Sequence, residues 1–167
     1  MEKNDLTYRI IGCAMKVHAQ MGRGFREYVY CRALAIELGI ESIPFEREVW
    51  LPIYYSNYKI AARRVDFYCG MMVTIEVKAK SELTDVDMSQ ALNTLERLNI
   101  KDGLLINFGG AKLEFKHLFN NKYDPNKEFI DITPELVGEP SDDLFQLRDY
   151  IPEWVINKMQ YDKMKKK

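Results

Sequence analysis

Residues 63–80, RRVDFYCGMMVTIEVKAK, predict two short β-strands that are joined at Gly70. Because side chains alternate between the two faces of a strand, Glu76 and Lys78 are expected on one face of the second strand. A hairpin can bring Asp66 of the first strand beside Glu76 or one pleat away, since the sequence does not fix the register. Two carboxylates and an amine are therefore predicted to lie close together on neighbouring strands.

Two helices are predicted on the N-terminal side of this hairpin. Residues 5–21 carry an apolar stripe at helical spacing, and Asp5 is a plausible N-cap. A second helix is expected over residues 25–38, closed by Gly39 in the position that glycine often takes at a helix end.

The chain from residue 45 onward predicts three strands, a helix and two further strands. A strand–helix–strand segment implies a right-handed crossover and parallel pairing of two strands. The predicted fold class is therefore α/β, with a mixed β-sheet of about five strands flanked by helices. The signals are FEREVWLPIYY at 45–55, a turn at Ser56–Asn57, a helix capped by Thr84 with Asp87 as capping-box partner, GLLIN at 103–107 and KLEFKHLF at 112–119.

The character of the chain changes near residue 121. Residues 1–120 are expected to form one domain, and residues 121–167 a loop-rich C-terminal extension that prolines punctuate. Within that extension IPEWVINKMQ, residues 151–160, predicts a terminal helix.

Composition restricts the class of protein and its compartment. No apolar run approaches the about 20 residues that span a bilayer, and the polar N-terminus lacks the layout of a secretory signal. The 3 cysteines contain no CxxC pair, which argues against a disulfide framework or a structural zinc site and favours the cytoplasm. The formal net charge of −1 gives no global basic field that would indicate a nucleic-acid partner.

The charged cluster on the hairpin has two interpretations. One is a polar, solvent-facing side of an antiparallel sheet, which is common for an isolated match of this kind. The other is a divalent metal site for phosphodiester cleavage, because Mg2+ prefers oxygen ligands and keeps several waters, so that Asp66, Glu76 and a backbone carbonyl suffice. In this second interpretation Lys78 would hold the attacking water or the developing charge.

Glu27 also admits two interpretations. It falls on the stripe that Tyr30, Cys31, Leu34 and Leu38 form at helical spacing, where a buried carboxylate needs a cation or hydrogen-bond donors. It also lies in the first helical turn, where acidic residues favour the helix dipole and can stay in water. The pattern does not decide between them.

Residues 24–30, GFREYVY, resemble the signature of the GxxExxY proteins, a branch of the PD-(D/E)XK nuclease superfamily. The resemblance covers roughly residues 6–118 and implies a restriction-endonuclease-like fold. It continues through the blocks ALAIEL, IPFEREVWLPIYY, VDFYCGMMVTIEVKA, SQALNTL and GLLINFGGAKLEFK.

The resemblance implies a role for five residues. Asp66 and Glu76 would be metal ligands for Mg2+ (or Mn2+), and Lys78 would be the catalytic lysine. Glu27 would complete the metal shell from the helix, often through water, and would act in catalysis. Gln90 would match the catalytic-site glutamine of the helix that follows the core strands.

The chain departs from this family at Thr94, where a tyrosine is usual, and at His117, where an arginine is usual. The function that we expect is metal-dependent hydrolysis of nucleic acid, with DNA as substrate and RNA as a further possibility. The alternative is a catalytically inactive nuclease fold that binds nucleic acid or another protein. The near-neutral charge favours a homodimer or a protein partner that helps to hold the substrate.

Overall fold

The structure, a computed structural model, describes residues 3–127, with side chains from Asp5 onward. The terminal helix predicted for residues 151–160 lies outside the described residues. In chain order the elements are α1 (Lys3–Met21), α2 (Glu27–Ile40), β1 (Phe45–Tyr55), β2 (Tyr58–Cys69), β3 (Val73–Lys78), α3 (Asp85–Leu98), β4 (Asp102–Asn107) and β5 (Glu114–Phe119).

The strands form one five-stranded mixed sheet, in the order β1-β2-β3-β4-β5. Strands β2 and β3 pair antiparallel, β3 and β4 pair parallel through the α3 crossover, and β4 and β5 pair antiparallel. The predicted mixed α/β architecture is therefore confirmed.

The two faces of β3 have different neighbours. Val73, Ile75 and Val77 belong to the hydrophobic core that also includes buried residues of α1 and α2. On the other face, a Cβ added to Gly103 of β4 would meet Thr74 Oγ1 and the Leu95 methyls of α3 at 2.9–3.0 Å. Because side chains alternate, the residues that share a face with Thr74, among them Glu76, point away from the α1–α2 core.

The turns confirm several sequence signals. Ser56 and Asn57 both have positive φ, at 46° and 67°, as a two-residue hairpin turn requires. Gly70 and Met71 repeat this geometry between β2 and β3, with φ of 57° and 54°. Thr84 caps α3 with the complete capping box that its spacing with Asp87 predicts.

Two predicted helix ends are wrong. Helix α1 begins at Lys3, so Asp5 lies in its first turn and is not its N-cap. Gly39 lies inside α2, and the left-handed residue after the helix is Ser42, with φ of 54°. The Ile43 N–H donates to the Leu38 carbonyl at 2.9 Å, which closes a Schellman motif with serine in the place expected for glycine.

The chain divides into two compact units. One contains residues 1–49 and 64–124, which include all five candidate site residues, and the other contains residues 50–63 and 125–167. The domain boundary expected at residue 120 stays a prediction. In the part of the chain that the structure describes, no helix is long and apolar enough to cross a membrane.

Candidate active site

The β2–β3 hairpin carries Asp66 and Glu76 on neighbouring strands, one position beyond its registered pairs. Its registered pairs begin with Phe67 opposite Ile75, and the same register continued by one residue places Asp66 opposite Glu76. Beyond the registered pairs, the Asp66 carboxylate links the strands, because the Val77 N–H donates to its Oδ2 at 2.8 Å. Both carboxylate residues are half-buried. The register, which the sequence did not fix, therefore favours a site that Asp66 and Glu76 share.

Lys78 is the last residue of β3 and is half-buried. It follows Glu76 by two residues and so shares its face of the strand. In the parallel β3–β4 pair it lies opposite Asn107, and its backbone carbonyl accepts the Phe108 N–H at 2.9 Å. The structure thus brings Lys78 to the same end of the sheet as the two carboxylates.

Glu27 is the first residue of α2, and its side chain is exposed. This excludes the interpretation in which Glu27 is a buried carboxylate on the apolar stripe. Its charge nevertheless acts near β2. The pKa of the Cys31 thiol is raised to about 12, chiefly by burial and then by the charge of Asp66, with a smaller contribution from Glu27 and with Arg47 opposing the rise. One thiol therefore experiences both the Glu27 and the Asp66 carboxylates.

The donor set restricts which metal the site can hold. Among the described residues, no three His, Cys, Asp or Glu side chains converge closely enough to hold an ion, so Glu27 does not join Asp66 and Glu76 in one ligand cluster. The N–H and C=O of a strand residue point to the same edge, so the Val77 carbonyl faces the β2 side together with the N–H that binds Asp66. Two carboxylates and a carbonyl fit a hard cation such as Mg2+, which keeps several of its waters.

Among residues 5–127, no side-chain contact links Gln90 to the two carboxylates. It lies in the second turn of α3 with an exposed side chain, and its backbone carbonyl accepts the Thr94 hydroxyl at 2.9 Å. Thr94 itself is buried, which explains its small side chain in terms of packing and a local hydrogen bond.

The N-terminus of α3 is tied to the chain just after Lys78. Asp87 Oδ2 accepts hydrogen bonds from Lys80 Nζ at 2.7 Å, from the Thr84 N–H at 2.8 Å and from the Thr84 hydroxyl at 2.9 Å. The Lys80 ammonium, followed by the Thr84 donors, lowers the pKa of the Asp87 carboxyl to about 2. This carboxylate thus anchors the start of α3 and a lysine that follows the candidate catalytic residue.

The two histidines have separate partners. His18 Nε2 lies 3.0 Å from the Gly110 carbonyl oxygen, and His117 Nε2 lies 3.1 Å from Asp102 Oδ1. Asp102 is buried, so His117 on β5 covers a carboxylate of β4. Neither contact brings a histidine to Asp66 or Glu76.

Sequence reasoning missed two residues beside the site, Asn107 and Glu114. Asn107 is completely buried and hydrogen-bonds both to Glu114 and to the backbone of Lys80. The available signal was the asparagine that ends GLLIN, since a polar residue that closes a wholly buried strand needs partners.

Comparison with known proteins adds a family to this geometry. The family model of the PD-(D/E)XK nuclease superfamily matches residues 4–118, which is well over half of the chain. No curated protein and no solved structure matches the chain. Membership of the GxxExxY branch stays a prediction. From the length of the match, together with the five-stranded mixed sheet, we conclude that the chain belongs to the PD-(D/E)XK nuclease superfamily.

Proposed function

We propose that the protein is a nuclease that hydrolyses phosphodiester bonds of DNA with Mg2+ or Mn2+. The observation that carries the proposal is the hydrogen bond by which the Val77 N–H holds the Asp66 carboxylate beside the residue that follows Glu76. Membership of a superfamily of nucleases supports the reaction class.

Each residue has a distinct proposed role. Asp66 and Glu76 would hold the ion, which when bound supplies a Lewis acid for the phosphate and lowers the pKa of a bound water. Lys78 would place its ammonium beside the attacking water or the developing negative charge, as a preorganised electrostatic group does. Glu27 and Gln90 are exposed in the structure and would reach the reacting groups through water or through the substrate.

The partner and the compartment belong to the same proposal. The substrate would be DNA in the cytoplasm, bound by a domain that ends near residue 120. Since the net charge is only −1, a second copy of the chain or a protein partner would contribute to holding the polyanion. The extension from residue 121 is a candidate for that contribution.

One observation favours the alternative of an inactive module that binds nucleic acid or protein. Within residues 5–127, three metal-binding side chains do not converge, and Glu27 and Gln90 are both exposed. An inactive protein in which Asp66 and Glu76 only stabilise the fold would also lack a third converging ligand and would also expose Glu27 and Gln90.

The test is incubation of the purified full chain with circular single-stranded DNA, double-stranded DNA and RNA, in Mg2+, in Mn2+ or in EDTA. We expect cleavage of DNA that EDTA abolishes, that Glu76→Gln abolishes, and that Glu96→Gln retains. The control makes the same chemical change in α3, where Glu96 pairs with Lys122. Binding of DNA without cleavage in either metal would support the inactive module, and cleavage of RNA alone would change the substrate.

A further inference from the structure

Asn107 joins three segments at the end of the sheet where Lys78 lies. Its Oδ1 accepts the Lys80 N–H at 3.0 Å and the Gly109 N–H at 3.1 Å. Its Nδ2 donates to the Lys80 carbonyl and to Glu114 Oε1, both at 2.9 Å. The side chain is completely buried, and these four bonds use two donors and two acceptor positions, the whole capacity of an amide.

The side-chain amide of Asn107 pairs with the Lys80 backbone in the way that a neighbouring strand would. Asn107 accepts from the N–H and donates to the C=O of one residue, which a neighbouring strand would otherwise do. Strand β3 ends at Lys78, so this amide extends the pairing two residues beyond the end of the strand. The same backbone is approached closely by Gly109, where an added Cβ would lie 2.3 Å from the Lys80 carbonyl oxygen.

Glu114 holds the far end of the same segment. It accepts the Leu83 N–H at 3.2 Å through Oε1, the oxygen that also accepts from Asn107. The chain from Lys78 to Leu83 is thus fixed at its start by β4, in its middle by Asn107 and at its end by Glu114. Asn107 at the centre of this polar network is buried and fully paired, and paired buried polar groups make a segment rigid.

We propose that Asn107 is a positioning residue for Lys78: it fixes the chain that leaves β3 and thereby fixes the backbone from which the Lys78 ammonium reaches the reacting groups. Asn107 touches neither the metal ligands nor, in this proposal, the substrate. The inference rests on the proposed function, because it assigns Lys78 the role given above.

The test variant is Asn107→Asp, which keeps the size and the two acceptor bonds. It deletes the two donor bonds and introduces a carboxylate beside Glu114, so the segment 78–83 should loosen. The matched control is Asn120→Asp. Asn120 is also buried, donates through Nδ2 to the Leu95 and Ile100 carbonyls and accepts the Lys122 N–H through Oδ1, but it lies beyond the other end of β5.

The first measurement is amide hydrogen exchange of the metal-free protein, which needs no activity. We expect faster exchange at Leu83, whose acceptor Glu114 loses its link to residue 107, in Asn107→Asp than in Asn120→Asp, at matched global stability in denaturant. Equal exchange of the Leu83 amide in the two variants would overturn the proposal. Should Asn107→Asp fail to fold, the pair Asn107→Asp with Glu114→Gln takes its place with the opposite expectation. The glutamine amide can donate to the new carboxylate and restore the link, so Leu83 should exchange as in the wild type, and faster exchange in this folded pair would overturn the proposal.

The second measurement separates positioning of Lys78 from a general structural role. We expect Asn107→Asp to lower kcat by about 10–100-fold, the usual loss when a supporting residue is changed, with KM for DNA little altered. In a Lys78→Met background the same change should have no further effect, since its target has gone. If the kcat losses of Asn107→Asp and Lys78→Met multiply in the double variant, the proposal is overturned. A kcat of Asn107→Asp equal to that of Asn120→Asp would also overturn it.

The two measurements keep this inference apart from the proposed function. If the wild-type chain cleaves no nucleic acid, the proposed function fails, and amide exchange alone decides whether Asn107 fixes the segment. If the wild type cleaves but the Lys78→Met cycle is additive, the proposed function stands and the positioning role is wrong.

Discussion

Asp66 and Val77 are joined across the β2–β3 hairpin by a hydrogen bond of 2.8 Å, in which the Val77 N–H donates to Asp66 Oδ2. The side chain of Asp66 here does what a backbone carbonyl does elsewhere in an antiparallel pair. The position of this carboxylate is therefore set by the backbone of the strand that carries Glu76. Asp66 thus has a structural role in the hairpin beside the metal-binding role that we propose for it, and substitutions can separate the two.

Asp66→Asn should lose metal binding and keep the fold. The amide oxygen can still accept the Val77 N–H, whereas Asp66→Ala leaves that donor unpaired at a cost of about 1–3 kcal/mol in the free energy of unfolding. Calorimetric titration with Mg2+ should show binding heat for the wild type and for neither variant, and urea unfolding should rank their stabilities. Normal Mg2+ binding by Asp66→Asn would remove the residue from the metal site.

Glu27→Gln should lower cleavage and leave stability almost unchanged. The side chain is exposed in the first turn of α2, so loss of its interaction with the helix dipole costs about 0.3–1 kcal/mol at most. A role in the outer metal shell predicts a rate loss of about 10–100-fold. The control is Glu37→Gln later in the same helix. Full activity of Glu27→Gln would leave Glu27 with its helix-terminal role alone.

Lys78→Met should act on the chemical step and not on metal affinity. Methionine keeps the apolar packing of the stem along β3 and removes the ammonium, which typically lowers turnover by about 10²–10³-fold at a preorganised site. Mg2+ should bind at least as well as in the wild type, because a nearby positive charge has gone. Lys116→Met makes the same change at an exposed position of β5 and should retain cleavage. Unchanged turnover in Lys78→Met would contradict the assignment.

Ionisation of Asp87 should make the stability of the protein depend on pH between about 4 and 2. Its pKa is lowered from an ordinary value of 3.8 to about 2, chiefly by the Lys80 ammonium, so its stabilising contribution is complete above about pH 4. The contribution is lost as pH falls through the folded pKa near 2. Asp87→Asn should therefore have a lower Tm than the wild type at pH 7, and the difference should shrink toward pH 2. A Tm difference that is the same at both pH values would show that the charge does not contribute.

Replacement of two glycines by alanine should change the free energy of unfolding in opposite directions. At Gly109 an added Cβ would lie 2.3–2.6 Å from backbone atoms of Ala79 and Lys80, which cannot move aside, so Gly109→Ala should destabilise by about 1–3 kcal/mol. At Gly39, inside α2, nothing lies within 4 Å of an added Cβ, so Gly39→Ala should stabilise by about 0.5–1 kcal/mol. Urea unfolding of both variants measures the signs, and a Gly109→Ala variant as stable as the wild type would mean that the loop does not approach the backbone of Ala79 and Lys80 so closely.

The sequence by itself determined the features that depend on neighbouring residues. The turn at Ser56–Asn57 and the capping box of Thr84 follow from side chains that act on their own backbone within a few residues. Strict alternation in VTIEVK placed Glu76 and Lys78 on one face without any knowledge of the fold. The element order and the parallel β3–β4 pair followed from the same local signals.

The tertiary structure decided what depends on distant partners. The register of the β2–β3 hairpin was open because a hairpin can slip, and the structure pairs Phe67 with Ile75, which are both core residues next to Asp66 and Glu76 in the chain. Periodicity placed Glu27 on an apolar stripe, yet periodicity carries no information about depth at a helix end, and the residue is exposed. The role of Asn107 rests on bonds to Lys80, 27 positions earlier in the chain, and no local pattern specifies contacts that exist only once β3, β4 and β5 have assembled.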